Sequence, residues 1–313
     1  SILKFIGFNT YNFKHKKKPT IITEYVTNGS LDKIIEMERK SLSNIDWDDT
    51  KKLITIYGIA SGMSYLHSHE ILHRDLKPGN ILLDKYLFPK ISDFGLSKEL
   101  SEGSANHSGY KGTPAYSAPE VFQEKYTKAG DVFSFALIVY EIMTNEVLYS
   151  NMNQFQLLSK VCAGYRPSFR YPIASSYEEL IKDCWKDDPK ERPTFEQIVF
   201  RLQTDKGFIT SNVDEEEFLN YVCYVDETFE RDEQTFQEIS IDKNPKKENN
   251  SLMNENFLDL NKFEKSDLIM KSDIYKSYKV KSKETGSTYL CKISMIKISN
   301  FSRDDLIKLS IIP

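Results

Sequence analysis

The run His73-Arg74-Asp75-Leu76-Lys77-Pro78-Gly79-Asn80, followed one short hairpin later by Asp93-Phe94-Gly95, constrains this chain more than any other feature. It sets two carboxylates and an amide, Asp75, Asn80 and Asp93, on adjacent loops between strand-like segments. That set suits phosphoryl transfer. One carboxylate accepts the proton of an attacking hydroxyl, while the amide and the other carboxylate give hard oxygen ligands to Mg²⁺ on nucleotide phosphates.

The remaining chain narrows the classes. With 313 residues, 40% apolar and 28% charged, it has the balance of a folded protein of two domains or one bilobal domain. A net charge of −4 offers nucleic acid no general attraction, and Lys14-His15-Lys16-Lys17-Lys18 reads as a solvated loop. Cys162, Cys184, Cys223 and Cys291 lie far apart without C-x-x-C spacing. This disfavours zinc and a disulfide framework and argues for a reducing, cytoplasmic compartment. No apolar stretch approaches the roughly 18 residues that span a bilayer, so no membrane segment is expected.

Along the chain, residues 1–26 hold two strand-like runs around the basic loop. Ser30 stands where it can cap a helix from Leu31. Between Asp48 and His67, Leu53, Ile56, Tyr57, Ala60 and Met63 fall at spacings of three and four, predicting a helix with one buried face. Val132 to Met143 is apolar nearly all round, as in a helix buried on every side. Thr194-Phe195-Glu196-Gln197 is a capping box for a further helix. Asp214-Glu215-Glu216-Glu217, a solvated acidic run, precedes a short helical pattern from Phe218 to Val222, and residues 240–252 read as flexible. From Phe263 a new unit begins, with strands at Tyr275–Val280 and Thr288–Ile293 around a Gly286 turn, then a helical segment from Arg303 to Leu309.

The two opening motifs resemble those of the protein kinase family, whose H-R-D-L-x-x-x-N and D-F-G patterns are complete here. The resemblance covers residues 1–204. Gly112-Thr113-Pro114-Ala115-Tyr116-Ser117-Ala118-Pro119-Glu120 resembles the end of an activation segment, whose glutamate pairs in the family with an arginine, here Arg192. Asp131-Val132-Phe133-Ser134-Phe135 and Cys184-Trp185 resemble the tyrosine-kinase-like branch, with Ala136 departing from its usual glycine.

The resemblance implies an α+β, bilobal fold: a partial β small lobe over 1–26, a mainly helical lobe over 27–204, and a linker over 205–262. It also implies that ATP, with Mg²⁺, phosphorylates serine and threonine hydroxyls of protein substrates. Asp75 is the expected catalytic carboxylate, and Lys77 steadies charge on the transferring group. Asn80 and Asp93 are the expected metal ligands and nucleotide contacts. Thr23 is the expected gatekeeper, with Glu24 and Val26 meeting adenine through their backbones. Leu82 packs on the base, or simply into the core. Phosphorylation of Ser104, Ser108 or Tyr110, by an upstream kinase or by the chain itself, would engage Arg74.

The family's small lobe opens with a glycine-rich hairpin, a lysine on strand three and a helix bearing a glutamate, whereas residues 1–26 correspond to strands four and five. Residues 263–313 resemble the earlier part, with Lys292 at the phosphate-binding lysine's place or simply an exposed strand lysine. The three glycine positions hold Met270, Ser272 and Tyr275, and Asp304 or Asp305 stands for the glutamate. Two explanations remain open: this segment begins a second kinase-like unit, or it completes the first small lobe as a permutation. The alternative to a kinase is a pseudokinase or scaffold without turnover. A small-molecule phosphotransferase fits less well, because 112–120 resembles a platform for peptides.

Overall fold

The computed structural model describes residues 1–42, 46–93, 98–99, 112–241, 258–271 and 275–294. In chain order, β1 (Phe5–Asn9) and β2 (Thr20–Glu24) precede α1 (Leu31–Arg39), α2 (Asp49–Ser68) and β3 (Ile71–Leu72). Then come β4 (Ile81–Leu83), β5 (Pro89–Ile91), β6 (Lys98–Glu99), α3 (Lys128–Thr144), α4 (Gln154–Cys162), α5 (Ser175–Cys184) and α6 (Phe195–Thr204). The long α7 (Glu215–Ile241) leads to β7 (Phe263–Lys271), β8 (Tyr275–Ser282) and β9 (Thr288–Ser294). These elements fall into two compact units, Ser1 with Asn28–Phe229 and Ile2–Thr27 with Glu230–Pro313. One is helical and one is built on a sheet, the α+β bilobal architecture expected.

In the helical unit, Asp48 caps α2 by accepting from the Lys51 backbone N–H at 2.8 Å. The spacing predicts one apolar face, but Ile54, Thr55 and Ile59 are as fully buried as Leu53 and Ile56. The reason is tertiary: α3, α6 and β5 all pack on this helix, and the first half of α7 joins them. Tyr57 meets Phe218 edge-on at 5.6 Å, and Phe229 stacks on Tyr65 at 4.9 Å. The stretch 205–262, expected as a linker with a short helix, therefore carries a 27-residue helix whose Phe218, Tyr221, Val222 and Val225 belong to the core. Helix α3 is buried from Gly130 to Ile142 and ends at Asn145, whose positive φ of 57° suits a left-handed cap. Thr194 and Gln197 make the expected capping box on α6. Ser30 occupies the N-cap position of α1 without a side-chain cap.

The sheet unit holds five antiparallel strands in the order β1-β2-β9-β8-β7. Strand β7 was not anticipated, because its polar run Glu264-Lys265-Ser266-Asp267 hides the alternation. Ile22, Leu260, Val280, Cys291 and Ile293 form the core on one face. Phe94 and Gly95, Ser97, Ser101, Ser104, Ser108 and Tyr110, Ser272, and the segment with Asp304 and Asp305 lie outside the described residues.

Candidate active site

The loop bearing Asp75 leaves β3 through Arg74, a non-glycine residue at φ 68°. Such a backbone persists only where its surroundings hold it. The holder is Asp131, in the first turn of α3 and nearly fully buried. Its Oδ2 accepts from the His73 N–H at 2.9 Å and its Oδ1 from the Arg74 N–H at 2.9 Å. His67 Nε2 approaches Oδ2 at 2.9 Å. Burial pushes the Asp131 carboxyl up, but His67, His73 and the Arg74 amide together outweigh it and leave it below the usual carboxylate range. Sequence reading assigned Asp131 no part in the site. The signal was available: a carboxylate opening an otherwise apolar buried helix needs partners.

Asp75 projects into a short polar network. Lys77 Nζ donates to Asp75 Oδ2 at 2.7 Å and to Thr113 Oγ1 at 2.7 Å, and Thr113 Oγ1 donates to Asp75 Oδ1 at 2.7 Å. The sequence motif places Thr113 only at the end of an activation-like segment and gives it no contact with Asp75. Asn80 Nδ2 donates to the Asp75 carbonyl at 2.7 Å and to its Oδ2 at 3.1 Å. Because the nitrogen is committed to Asp75, the Asn80 amide turns its Oδ1 elsewhere.

Asp93 is tied to the same loop through its neighbour. Ser92 donates to the Asn80 carbonyl through both its N–H, at 2.8 Å, and its hydroxyl, at 2.9 Å. The Ser92 carbonyl lies 3.1 Å from His73 Nε2. With Asp75 N–H facing His73 Nδ1 at 3.4 Å, the ring accepts on one side and donates on the other. Asp93 itself adopts φ 66° and is half-buried. Among the described residues no cluster of three His, Cys, Asp or Glu side chains suits a metal. A site built on Asn80 Oδ1 and one carboxylate suits Mg²⁺, which keeps waters and phosphate oxygens in its remaining positions.

Leu82, on β4, is half-buried and bridges Ser30. In the sheet unit, Glu24 accepts the Lys4 N–H on Oε1 at 2.8 Å, and its own N–H donates to the Lys4 carbonyl at 3.0 Å. Val26 follows β2 and is half-buried. Thr23 pairs with Leu290, and Ile21 with Lys292, which in turn faces Ser277. By strand alternation Thr23 and Lys292 share one face, opposite the Ile22–Cys291 core. The buried Ser277 hydroxyl in the Lys292 row has no protein partner among the described residues.

The segment from Thr113 to Glu120 is anchored at both ends. Arg192, itself buried, donates to Glu120 Oε1 at 2.6 Å and Oε2 at 3.0 Å, as the family pattern implies. Its other N–H groups reach the Lys186 and Ala129 carbonyls. Tyr116 donates to Glu141 Oε2 at 2.5 Å. The Arg74 guanidinium rests 4.2 Å from the Tyr126 ring centre.

The family model described as "Protein tyrosine and serine/threonine kinase" matches residues 1–202. The chain is 39% identical over 189 residues to the probable serine/threonine-protein kinase drkC of Dictyostelium discoideum, covering 58% of this chain and 25% of the relative. It is 39% identical over 205 residues to the RGS domain-containing serine/threonine-protein kinase A of the same organism, covering 65% and 17%. It is 36% identical over 189 residues to mitogen-activated protein kinase kinase kinase 13 of Homo sapiens, covering 58% and 18%. The matched segment spans a quarter or less of each of these relatives. With its loop motifs, its latch on Asp131 and its Glu120–Arg192 pair, the chain belongs to the protein tyrosine and serine/threonine kinase family.

Proposed function

We propose that the chain is an ATP-dependent protein serine/threonine kinase that moves the γ-phosphate of ATP onto hydroxyls of protein substrates. The observation that carries this reading is the closed contact set of Asp75, Lys77 and Thr113. Asp75 accepts the proton of the incoming hydroxyl and aligns its oxygen. Lys77, held beside that carboxylate, offsets charge that grows on the phosphoryl oxygens. Asn80 and Asp93 would hold Mg²⁺, which supplies charge neutralisation on the phosphates. Thr23, the Glu24 and Val26 backbone, and Leu82 receive the base, and Lys292 receives phosphate. The two Dictyostelium relatives are named serine/threonine-protein kinases, which favours serine and threonine over tyrosine as acceptors.

All four cysteines are free, which supports a reducing, cytoplasmic setting. No described helix is long and apolar enough to cross a membrane. Phosphorylation between Asp93 and Glu120, by another kinase or in the chain's own reaction, would act through Arg74. A second reading, a scaffold without turnover, rests on Met270, Ser272 and Tyr275 at the three glycine positions, where side chains keep the backbone from approaching phosphates closely. Transfer of labelled phosphate to a general protein substrate separates the two. The native chain incorporates label and Asp93→Asn does not; equal incorporation by both refutes the kinase reading.

A further inference from the structure

The β1–β2 hairpin lacks the means to fold alone. Two strands are marginal in water, and the β2 edge away from β1 would stand open. Yet Ile22, at the centre of β2, has no exposed surface. What covers it comes from the far end of the chain: Val280, Cys291 and Ile293 complete its core, with Tyr278 and Tyr289 packed alongside. The segment preceding β7 grips β1 as well. Asn9 Nδ2 donates to the Leu258 carbonyl at 2.8 Å, and Leu258 N–H donates to the Phe8 carbonyl at 2.9 Å.

The match between β2 and β9 is specific in register. Thr20 faces Ile293, Ile22 faces Cys291 and Glu24 faces Tyr289, which sets the apolar row of β9 on the core face with Ile22. The intervening residues, Leu290 and Lys292, fall opposite Thr23 and Ile21 on the other face. A slip by one residue would drive Lys292 into the core and expel Cys291, so the two strands fit at this alignment and not at its neighbours.

We infer that residues 258–294 are the intramolecular partner of the β1–β2 hairpin, so strands that follow the helical lobe in sequence complete the sheet begun by strands that precede it. The strands of the glycine-position hairpin and the lysine strand follow the helical lobe in sequence, yet they take the edge and centre of the same sheet. The consequence for nucleotide binding rests on the kinase reading: Thr23 and Lys292 share one face only through this union. The pairing itself does not rest on that reading.

Cross-strand cysteine capture tests it. Cys291 is native and lies directly opposite Ile22, and paired antiparallel residues stand at a Cα separation that a disulfide spans. The variant is Ile22→Cys in the full chain, with the exposed Cys162 and Cys223 changed to serine to remove stray thiols. After mild oxidation of dilute protein, the expected result is a faster-running monomer on a non-reducing gel and the loss of two titratable thiols after denaturation. Adding Cys291→Ser abolishes both changes. Disulfide-linked dimers or ladders would overturn the inference, since a second copy would then supply β9. Absence of any cross-link in chains with a native thermal transition would also overturn it. Should Ile22→Cys not fold, Thr23→Cys with Leu290→Cys, a half-buried facing pair, takes its place with the same readings. Because gel mobility needs no turnover, failure of the kinase reading leaves this result intact.

Discussion

Thr113 Oγ1 stands 2.7 Å from both Asp75 Oδ1, to which it donates, and Lys77 Nζ, from which it accepts. One hydroxyl thereby couples the segment leading to Glu120 to the Asp75 carboxylate. Thr113→Val removes both hydrogen bonds at nearly constant volume. It is expected to lower kcat by about 10²-fold, within the range that a positioned acid or base contributes, with the KM for ATP nearly unchanged. Thr113→Ser restores most of the rate. Phosphate-transfer kinetics on all three forms check this, and a Thr113→Val enzyme at native kcat would dismiss the coupling.

The Asp131 latch gives a stability prediction. Asp131→Ala strands the His73 and Arg74 amides and the His67 ring in a buried site, while Arg74 keeps its left-handed backbone. Loss of about 3–5 kcal/mol is expected, the scale for removing one partner of a buried charged network. Urea unfolding of the native and variant chains measures it; a change under about 1 kcal/mol would mean that the loop holds itself.

Gly58 tests whether α7 belongs to the helical unit. A Cβ there would meet the Tyr221 hydroxyl at 2.3 Å and Pro89 Cγ at 2.5 Å. Gly58→Ala, which an isolated helix would welcome, is therefore expected to destabilise by roughly 1–3 kcal/mol through overpacking. Pairing it with Tyr221→Phe, which removes the nearer atom, should recover part of the loss. A more stable Gly58→Ala single variant would show that α7 is dispensable.

Glu141 sets a pH dependence. Burial lifts its carboxyl to about 7, with Asp32 adding to the rise and the Tyr116 hydrogen bond and Arg39 opposing it. In the unfolded chain the group returns to its ordinary value near 4.5. Between those values the folded state holds the extra proton, so this group's contribution is present at low pH and is lost as pH rises to about 7. Glu141→Gln removes the slope and should gain up to about 3 kcal/mol on the native chain at pH 8, with little difference near pH 4. Denaturant titrations at the two pH values decide it: parallel behaviour of the two proteins would place Glu141 in water.

The grouping of the candidate site was legible in the sequence where spacing alone fixes it. Asp75, Lys77 and Asn80 lie within six residues, and a three-residue β4–β5 ladder brings Ser92, and with it Asp93, back to Asn80. Helix α3 was equally plain, since a run apolar on every side has only the interior to occupy. Thr113 and Asp131 escaped because their partners lie 38 and 58 residues away, and no local pattern records such pairings. Helix α7 was underread for a related reason: its first turn is acidic and its burial is supplied by Tyr57 and Phe88.

Strand β9 sits between β2 and β8, so the residues that seal β2 are synthesised about 270 positions after it. At translation rates of about 5–20 residues per second, the nascent β1–β2 hairpin waits on the order of 10–50 s for them. The helical unit has time to form on the ribosome during that interval, while Ile22 and the bare β2 backbone stay open to chaperones or to neighbouring nascent chains. Slow, late closure of the sheet is thus built into the order in which its strands are written.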